Sequence, residues 1–553
     1  MPTRTTAWAC HPARETRIKI LVSDKLADEG LRILRAEPGV EVDVKTDLAP
    51  DQLKAVIGQY DGICIRSATK LSADVLANPG KLRAIARAGV GVDNVDLPTA
   101  TRRGIVVMNA PDGNTISTAE LTVGLMIAAS RHMAPACAGL KAGRWDRKSF
   151  MGRQLAEKTV GIVGLGRVGL AVAKRALAFG TKIIGYDPFV AGAPPDLARQ
   201  IRLVDSLDDL LKEADYLTVH TPLDDQTRGL IGKKELERLP KGAFVINAAR
   251  GGIIDEAALL EVLNAGHLAG AALDVYTAEP PECRALLEHP KVLCLPHLGA
   301  STHEAQYNVA IDACRNLVDY LAGRELRGAV NVPAIDFATL GALRPYVELG
   351  HRMGVLLATL MRGRLKRLEV TLAGDITDAP YSPITTGVVI GLLERIVPGP
   401  VNMVNALVVA RENGLDVSER TDPDARGYAS SVRVTVEGDR ESHAVHGTVF
   451  HRNYPRVTLL DGFEIELAPE GDLVVTFHED RPGVIGEVGT TLGRHRINIA
   501  SMACGRKVET QEACLGLTLD SVPSAAVLDE LRGKTFMKHV HYISLPPLVS
   551  QSA

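Results

Sequence analysis

The sequence has 553 residues, of which 46% are hydrophobic and 23% charged, and its formal net charge is −3 at pH 7. This length predicts several domains, and the charge gives no basic bias that would indicate nucleic acid or an anionic membrane as partner. The 8 cysteines are scattered without a C-x-x-C pair. We therefore expect no disulfide framework and no metal site, and a reducing cytoplasm is favoured. No uncharged apolar run approaches about 18 residues, so no transmembrane helix is predicted.

Residues 1–17 contain three arginines and lack the apolar core of a secretory signal. We expect them to form a disordered leader. A transit peptide for an organelle is the alternative that remains open.

Short apolar runs alternate with helical patterns from Ile18 as far as Gly328. The helical patterns are clearest at 170–179 and 257–265. This alternation predicts an α/β fold with parallel sheets covered by helices on both faces. The predicted strands are residues 18–23, 62–66, 160–163, 182–186, 216–220, 243–247, 270–275 and 292–296.

A glycine motif of the form G-x-G-x-x-G stands between a predicted strand and an apolar helix, at Gly164, Gly166 and Gly169. The first glycine permits a tight turn, the second lets the backbone approach a pyrophosphate, and the third lets helix and strand pack closely. The pyrophosphate would lie on the free N–H groups at the start of the helix. The motif therefore predicts a dinucleotide site.

Asp187 ends the next predicted strand, where a carboxylate would bond the ribose hydroxyls of the adenosine. A carboxylate there repels a 2′-phosphate, and the following Pro-Phe-Val offers no arginine to bind one. NAD is therefore favoured over NADP.

Three polar residues, Arg250, Glu279 and His297, follow the ends of three later strands. Ligands of open α/β sheets gather beyond the carboxyl ends of the strands, so we expect these side chains to face one crevice. Each residue alone could be an ordinary surface or structural group. Their coincidence on successive strand ends favours a catalytic set.

Hydride transfer between a nicotinamide and a 2-hydroxy acid needs these three types of group. Imidazole can take and return the hydroxyl proton near neutral pH, which suits His297. A carboxylate beside it, Glu279, fixes its tautomer and favours the imidazolium. A guanidinium, Arg250, can polarise the carbonyl and clamp the substrate carboxylate.

Beyond Asn331 the chain changes character, and a segment punctuated by Gly and Pro extends to about residue 469. Its strand candidates include 432–437 and 456–460. The last unit, 473–548, has apolar residues at helical spacing over 483–494. Pro482 suits the first turn of that helix and Asp480 lies near its capping position. Strands at 497–501, 513–519 and 540–545 and a helix at 524–532 complete a ferredoxin-like β-α-β-β-α-β order.

Residues 18–328 resemble the D-isomer-specific 2-hydroxyacid dehydrogenases. The motifs that carry the resemblance are GIVGLGRVG, VHTPL, NAARGGIIDE, ALDVYTAEPP and PHLGAST. The resemblance implies a Rossmann-type NAD-binding domain and a flavodoxin-like substrate domain, with the active site in the cleft between them. It implies boundaries of 18–109 and 299–328 for the substrate domain and 110–298 for the NAD-binding domain.

Four further motifs are most similar to the branch of the family that oxidises 3-phospho-D-glycerate at the first step of L-serine synthesis: IRSATKLSADV, RAGVGVDNVDL, NAPDGNTISTAE and GRWDRKSFMG. This implies substrate contacts from Arg66, Arg87 and Asn114, and a contact from Arg147 to the site of a neighbouring subunit. Cations suit a phosphate-bearing substrate, although ordinary surface arginines are the alternative. Reduction of 2-oxoglutarate is implied as a side activity.

The resemblance also implies a set of cofactor contacts. Val90 departs from the family pattern, in which a Thr is frequent, so only a backbone contact would survive there. The implied residues are Val90, Gly164, Gly166, Arg167, Val168, Gly169, Asp187, Thr221, Ala248, Arg250, Asp274, His297, Gly299 and Ala300.

The last unit, 473–548, resembles an ACT domain through its D-R-P-G turn and its INI strand. This implies L-serine as effector, held by Asp480 and Asn498 between two ACT units of a homo-oligomer, either dimer or tetramer. A plain dimerisation module is the alternative. The middle segment, 331–469, is similar to the α+β intervening domain of longer family members, where Arg433, His451 and Arg452 are candidate contacts for anions.

Two other functions remain open at this point. One is a related dehydrogenase that acts on glycerate or hydroxypyruvate, and the other is a non-catalytic scaffold that senses NAD. The set Arg250, Glu279 and His297 argues against the scaffold.

Overall fold

The structure is a computed structural model, and it describes residues 17–190, 192–332, 337–378, 382–451 and 453–548. The predicted leader, apart from Arg17, lies outside the described residues. In the described part of the chain, no helix is both long and apolar enough to cross a membrane. No group of three or more His, Cys, Asp or Glu side chains in the same ranges is arranged to hold a metal ion.

The first sheet has five parallel strands in the order β2-β1-β3-β4-β5, which is the flavodoxin-like order. Its inner strands are buried because helices cover both faces, and the predicted fold is confirmed. The strands are β1 (Ile18–Val22), β2 (Val40–Val44), β3 (Gly62–Ile65), β4 (Ala84–Arg87) and β5 (Val106–Asn109), and the helices are α1 (Asp28–Ala36), α2 (Pro50–Val56) and α3 (Leu97–Arg102).

The second sheet has seven parallel strands in the order β12-β11-β10-β9-β6-β7-β8. This is the Rossmann order with one added strand, so the predicted nucleotide-binding fold is confirmed. Its strands are β6 (Thr159–Val163), β7 (Lys182–Tyr186), β8 (Ile201–Leu203), β9 (Tyr216–Val219), β10 (Phe244–Asn247), β11 (Gly270–Leu273) and β12 (Val292–Cys294). Its helices are α4 (Thr115–Ser130), α5 (Met133–Lys141), α6 (Arg167–Ala178), α7 (Leu207–Glu213), α8 (Lys233–Arg238), α9 (Glu256–Asn264) and α10 (Arg284–Leu287).

Two long helices cross between the sheets. Helix α4 follows the first sheet but packs Ala119, Val123 and Met126 into the core of the second. Helix α11 (His303–Leu321) follows the second sheet but packs into the core of the first, with Val309 and Leu317 fully buried there. The chain therefore passes twice between the sheets, and a cleft is formed at their adjoining edges.

The middle segment forms a six-stranded mixed sheet in the order β14-β13-β15-β16-β17-β18, with its helices packed against it. Only β13 and β14 pair in parallel, and the predicted α+β character is confirmed. The elements are α12 (Phe337–Leu360), β13 (Leu365–Gly374), α13 (Ser382–Leu393), α14 (Ala406–Glu412), β14 (Asp416–Asp422), β15 (Ser430–Gly438), β16 (Ser442–Phe450), β17 (Tyr454–Leu460) and β18 (Phe463–Leu467).

The last unit is an antiparallel sheet in the order β20-β21-β19-β22 with two helices, which confirms the ferredoxin-like prediction. The two helices cover one face of this sheet, and the opposite face packs against the middle segment. Leu473, Val475 and Ile543 on that opposite face belong to the same hydrophobic core as the middle segment. The elements are β19 (Gly471–Glu479), α15 (Val484–Arg494), β20 (Ile499–Lys507), β21 (Glu512–Leu519), α16 (Ala525–Arg532) and β22 (Met537–Leu545).

The start of α15 differs from the prediction. The helix begins at Val484, and Gly483 is its N-cap at φ 96°, a left-handed conformation that glycine adopts without strain. No side chain caps the helix. The predicted places of Pro482 in the first turn and of Asp480 near the cap were therefore wrong, because the Gly483 turn separates both from the helix.

Candidate active site

The glycine turn has the geometry that a dinucleotide site requires. Gly164 lies at φ 92°, and a Cβ on Gly169 would come within 2.0 Å of the Gly164 carbonyl oxygen. A Cβ on Gly166, the N-cap of α6, would meet no atom within 4 Å. The turn is therefore closed against the strand and open on the side where a pyrophosphate would approach.

Polar groups around this turn fit NAD. Asp187, at the end of β7, accepts hydrogen bonds from the N–H groups of Leu165 and Phe189, both at 2.9 Å. The hydroxyl of Thr221 is buried and has no hydrogen-bond partner in the described part of the chain, and a Cβ on Gly164 would lie 3.0 Å from its methyl group. The open helix start, the carboxylate and the unpartnered hydroxyl together offer a cradle for the cofactor.

The other implied cofactor residues lie around the same cleft. Arg167, the first residue of α6, forms an ion pair of 2.7 Å with Asp112. The carbonyl of Val90 accepts a hydrogen bond of 2.6 Å from the Asn109 amide, which fixes the backbone at this departure from the family pattern. Ala248 is buried just after β10.

The three candidate catalytic residues follow the carboxyl ends of adjacent strands, because β10, β11 and β12 are neighbours in the sheet. Arg250 follows β10, Glu279 follows β11 and His297 follows β12. The first two loops pack directly on each other, since a Cβ on Gly251 would lie 1.8 Å from the carbonyl oxygen of Tyr276.

A carboxylate and an imidazole form a pair in this cleft. His297 Nδ1 lies 2.8 Å from Glu279 Oε2, and the other carboxylate oxygen accepts a hydrogen bond of 3.2 Å from the Tyr276 N–H. Nδ1 is thereby engaged by Glu279, and no described residue bonds Nε2. The pair can hold the ring in one orientation while Nε2 exchanges a proton.

A buried carboxylate fixes the turn that carries the imidazole. Asp274 accepts hydrogen bonds from the N–H groups of Leu298 at 2.7 Å and Gly299 at 2.8 Å. Burial raises the pKa of Asp274, and the two backbone N–H groups oppose that rise. Ser117 donates to the Gly299 carbonyl at 2.7 Å. The turn is therefore held from the sheet and from α4, and Ala300 follows it with its carbonyl bonded to Gln306.

Three guanidinium groups lie close together in the cleft, near the carboxylates of Asp93 and Asp24. Arg87, at the end of β4, has a buried Nε that no described residue bonds. Burial lowers the pKa of Arg87 to about 10; Arg250 and Arg66 reinforce the shift, and the carboxylates of Asp93 and Asp24 oppose it. Arg66 donates to the Lys25 carbonyl at 3.1 Å, and Arg250 donates to Asp93 at 3.1 Å. Because like charges repel, an anionic ligand would relieve this arrangement.

Two further residues implied to contact substrate, Asn114 and Arg147, differ in their exposure to solvent. Asn114 is the N-cap of α4, and its side-chain oxygen is buried without a hydrogen-bond partner within the described ranges. Arg147 lies on an exposed segment beside Trp145, which is 79% exposed, and Met151, which is 82% exposed. Its implied contact with a neighbouring subunit stays a prediction.

Sequence reasoning missed three residues of this site. Asp93 and Asp112 pair with Arg250 and Arg167 across the cleft. Asn247 donates to the Arg250 carbonyl at 2.8 Å and accepts from the Ala249 N–H at 3.0 Å. All three lie in motifs that carry the resemblance, Asn247 in NAARGGIIDE, Asp93 in RAGVGVDNVDL and Asp112 in NAPDGNTISTAE, so a usable signal was present, although the motifs do not indicate the partners of the two aspartates.

The candidate effector residues have partners within the chain. Asp480 accepts from Arg506 at 2.7 Å, and the Asn498 amide donates to Asp520 at 2.6 Å. Of the candidate anion contacts, Arg433 pairs with Asp422 at 3.2 Å, and His451 packs edge-on to the Tyr454 ring. Arg452 lies outside the described residues.

Three protein-family models match the chain. They are the NAD binding domain of D-isomer specific 2-hydroxyacid dehydrogenases over residues 123–299, the D-3-phosphoglycerate dehydrogenase intervening domain over 342–461, and the ACT domain over 473–531. Each matches a part of the chain whose resemblance the motifs predict, so those resemblances are confirmed.

Curated relatives match along nearly the full chain. D-3-phosphoglycerate dehydrogenase of Methanocaldococcus jannaschii is 40% identical over 96% of this chain and 100% of its own length. The enzyme of the same name from Bacillus subtilis is 39% identical with the same coverage. Among solved structures, a glyoxylate reductase from Paecilomyes thermophila is 31% identical, with a TM-score of 0.53 over 57% of this chain and 98% of its own.

Proposed function

Because this chain belongs to the D-3-phosphoglycerate dehydrogenase family, we propose that it oxidises 3-phospho-D-glycerate to 3-phosphohydroxypyruvate, the first step of L-serine synthesis. The family makes it an NAD-dependent oxidoreductase. The substrate, the roles of the individual residues and the regulation are what we propose beyond that.

The cluster of Arg66, Arg87 and Arg250 is the observation that carries this proposal. The substrate bears a phosphate and a carboxylate, and the buried Arg87 Nε is a donor with no partner among the described residues. Guanidinium groups bind both anions in bidentate geometry. A phosphate-bearing substrate therefore supplies the charge and the acceptors that the cluster lacks.

The geometry supports one division of labour in the reaction. Bound NAD would supply the acceptor for the hydride that leaves C2 of the substrate. His297 Nε2 takes the proton of the C2 hydroxyl as the carbonyl forms, and Glu279 on Nδ1 stabilises the resulting imidazolium. Arg250 holds the substrate carboxylate and polarises the new carbonyl. Asp274 and Asn247 act through backbone contacts as positioning residues.

Regulation by L-serine is the second part of the proposal. The ACT match supports it, together with the polar residues Asp480, which lies just before the Gly483 turn, and Asn498, which lies just before β20 at the other end of the sheet. We place serine there, between two ACT units of a homo-oligomer. Reduction of 2-oxoglutarate to 2-hydroxyglutarate is proposed as a side reaction of the same cleft, since it also binds a 2-oxo acid.

The proposed assembly and location rest on surface chemistry. Trp145 and Met151 are apolar and exposed around Arg147, as expected for a surface that a second subunit covers. Every cysteine in the described ranges is a free thiol, which suits a reducing cytoplasm. We propose the substrate, NAD-binding, intervening and ACT domains with the boundaries that the sequence implies.

A steady-state assay tests substrate and regulation together. NAD reduction is measured with 3-phospho-D-glycerate and with D-glycerate, each with and without millimolar L-serine. We expect a higher kcat/KM for the phosphorylated substrate and inhibition by serine. A higher kcat/KM for D-glycerate would favour the alternative of a glycerate or hydroxypyruvate dehydrogenase, and no turnover of either would favour the NAD-sensing scaffold.

A further inference from the structure

An ion pair joins the two sheets across the cleft. Asp93, in the loop between β4 and α3, accepts a hydrogen bond of 3.1 Å from Nε of Arg250, in the loop that follows β10. The side chains of Asp93 and Arg250 are 64% and 27% exposed. A pair this open to water contributes little to the free energy of unfolding. It therefore matters for the orientation of Arg250 more than for the stability of the fold.

The contacts of the Arg250 guanidinium divide its donors. A guanidinium has five N–H groups, and Asp93 accepts from the one on Nε. Nη1 donates to the carbonyl oxygen of Ala249 at 2.7 Å. The N–H groups that remain are on Nη1 and Nη2, the two nitrogens that can bind a carboxylate with two parallel hydrogen bonds. With Asp93 on Nε, this end of the guanidinium is left for a ligand.

The loop that carries Asp93 is shaped around the guanidinium. A Cβ on Gly91 would lie 1.9 Å from Nη2 of Arg250 and 2.7 Å from Oδ2 of Asp93. Any side chain at position 91 would therefore displace the pair. In the same way, a Cβ on Gly89, at φ 152°, would lie 1.9 Å from Nη1 of Arg87. The two glycines let one stretch of backbone lie in contact with two guanidinium groups of the cleft.

The residue after Asp93 anchors this loop to the rest of the first domain. The Asn94 amide donates to the carbonyl oxygens of Arg66 at 2.6 Å and Thr69 at 2.7 Å. The Asn94 carbonyl accepts from the Leu71 N–H at 2.8 Å. Asp93 is thus attached to a backbone that is fixed before a ligand arrives. Its carboxylate can therefore hold Arg250 in one orientation.

We propose that Asp93 is a positioning residue for the dehydrogenase reaction, which holds the Arg250 guanidinium so that Nη1 and Nη2 face the substrate. The inference rests on the proposed role of Arg250 as the clamp of the substrate carboxylate. Asp93 acts through Arg250 and is not itself a catalytic residue. Because a misplaced clamp weakens both the binding of the carboxylate and the polarisation of the carbonyl, loss of Asp93 raises KM and lowers kcat together.

Steady-state kinetics of the full chain test the proposal, with NAD and 3-phospho-D-glycerate as substrates. Asp93→Ala removes the acceptor for Nε, so kcat/KM should fall about 30-fold, as expected for a lost hydrogen bond to a charged group. Asp93→Asn retains an oxygen that can accept from Nε, so kcat/KM should fall only about threefold. The KM for NAD should not change in either variant, because the glycine turn belongs to the other sheet. An equal loss of kcat/KM in the two variants overturns the proposal.

Asp74→Ala is the matched control. Asp74 lies in the same domain, its side chain is 70% exposed, and it pairs with Lys54 at 2.5 Å. Loss of this pair should leave kcat/KM within about twofold of the unmodified protein. A comparable loss in Asp74→Ala and Asp93→Ala would mean that any surface ion pair of this domain affects the reaction, and it contradicts the proposal.

A double-mutant cycle shows whether Asp93 acts through Arg250. Arg250→Gln leaves no guanidinium to hold, so the addition of Asp93→Ala should change kcat/KM by less than about twofold. A further loss of about 30-fold in the double variant would mean that Asp93 acts by another route, and the proposal fails. Should Arg250→Gln turn over too slowly to measure, the comparison of Ala with Asn at position 93 decides.

The unmodified protein reports on the substrate assignment separately. If it prefers D-glycerate, that assignment fails, and the variants are compared with D-glycerate, which carries the same carboxylate. If the unmodified protein is active and Ala and Asn at position 93 do not differ, the role of Asp93 alone is overturned. No turnover of either substrate overturns both.

Discussion

The catalytic cleft and the middle segment each contain a histidine paired with a carboxylate, but they expose the pair differently. In the cleft, the side chains of His297 and Glu279 are 48% and 40% exposed. In the middle segment, those of His443 and Asp461 are 18% and 21% exposed. An exposed pair can exchange protons with a substrate and solvent, whereas a buried pair retains its charge and stabilises the fold. The same side-chain chemistry therefore suits catalysis in one place and stability in the other.

The largest expected effect is on the pair in the cleft. His297→Ala removes the group that accepts the hydroxyl proton, so kcat should fall by about 10²- to 10⁴-fold while NAD still binds. The measurement is steady-state NAD reduction, with NAD affinity determined by titration of the protein's intrinsic fluorescence.

His495→Ala is the matched control for that variant. His495 is paired with Glu530 at 2.9 Å in the ACT unit, in much the same geometry. Its loss should leave kcat within about twofold. A similar loss of kcat in both variants would show that the pairing, rather than the place in the cleft, matters, and would contradict the assigned role of His297.

The second prediction concerns Arg87, a cation buried among other cations. Arg87→Met should lower kcat/KM for 3-phospho-D-glycerate about 100-fold, because a charge-assisted contact is lost. The free protein should become more stable, by about 1 kcal/mol, because a buried guanidinium whose Nε has no hydrogen-bond partner among the described residues is replaced by an apolar group of similar size. Steady-state kinetics measure kcat/KM, and urea unfolding of the same preparation measures the stability of the free protein.

Arg83→Met supplies the comparison, since Arg83 lies at the start of the same strand and pairs with Asp61 at 3.4 Å near the surface. That variant should change neither quantity appreciably. If Arg87→Met instead destabilises the free protein, the Arg87 side chain stabilises the fold, and its role as a group held ready to bind an anionic ligand is contradicted.

The cleft and the middle segment also differ in how far they could be predicted from sequence. The glycine turn, Asp187, and the strand ends before Arg250, Glu279 and His297 are local patterns, because a parallel sheet brings all carboxyl ends to one edge. The contact of Asp93 with Arg250 depends on how the two sheets meet, and the contact of Asp112 with Arg167 joins distant parts of the chain, so no local pattern encodes either pair.

The pair of His443 and Asp461 was not predicted for the same reason. It joins β16 to the turn after β17, and the periodicity of these strands does not indicate it. The start of α15 failed on a finer scale. Pro482 favours a first helical turn, but Gly483 takes the left-handed conformation and moves the start of the helix beyond it.

The third prediction is a pH effect within one strand. Burial lowers the pKa of His446 to about 4, and Asp461 raises that of His443, three residues earlier in β16. His446 therefore stabilises the fold fully above about pH 6.5, and its contribution is lost as the pH falls towards 4. His443 contributes below about pH 6.5, and its contribution is lost as the pH rises through its folded pKa.

Replacement of either histidine by Gln should remove that histidine's contribution to the pH dependence of the free energy of unfolding. His446→Gln should reduce acid destabilisation between about pH 6.5 and 5 by about 1 kcal/mol, after allowance for solvent screening. His443→Gln should destabilise more at about pH 6 than at about pH 8.5. The measurement is the free energy of urea unfolding of the C-terminal half as a function of pH for each variant. If this free energy changes with pH in the same way in both variants, the opposite pKa shifts of His443 and His446 are contradicted.

The smallest effect on basal activity is expected at Asp480, because it lies in the ACT unit and its partner in the chain is Arg506 at 2.7 Å. Asp480→Ala removes the carboxylate proposed to bind the ammonium of serine, so serine inhibition should weaken about tenfold or more while kcat stays within about twofold.

Asp529→Ala is a suitable control, since Asp529 is also paired with an arginine, Arg532 at 2.8 Å, on the surface of the same unit. Inhibition curves for both variants and the unmodified protein separate two explanations. If basal activity falls together with inhibition in Asp480→Ala but not in Asp529→Ala, the Asp480–Arg506 pair supports the assembly and the ACT unit acts as a dimerisation module.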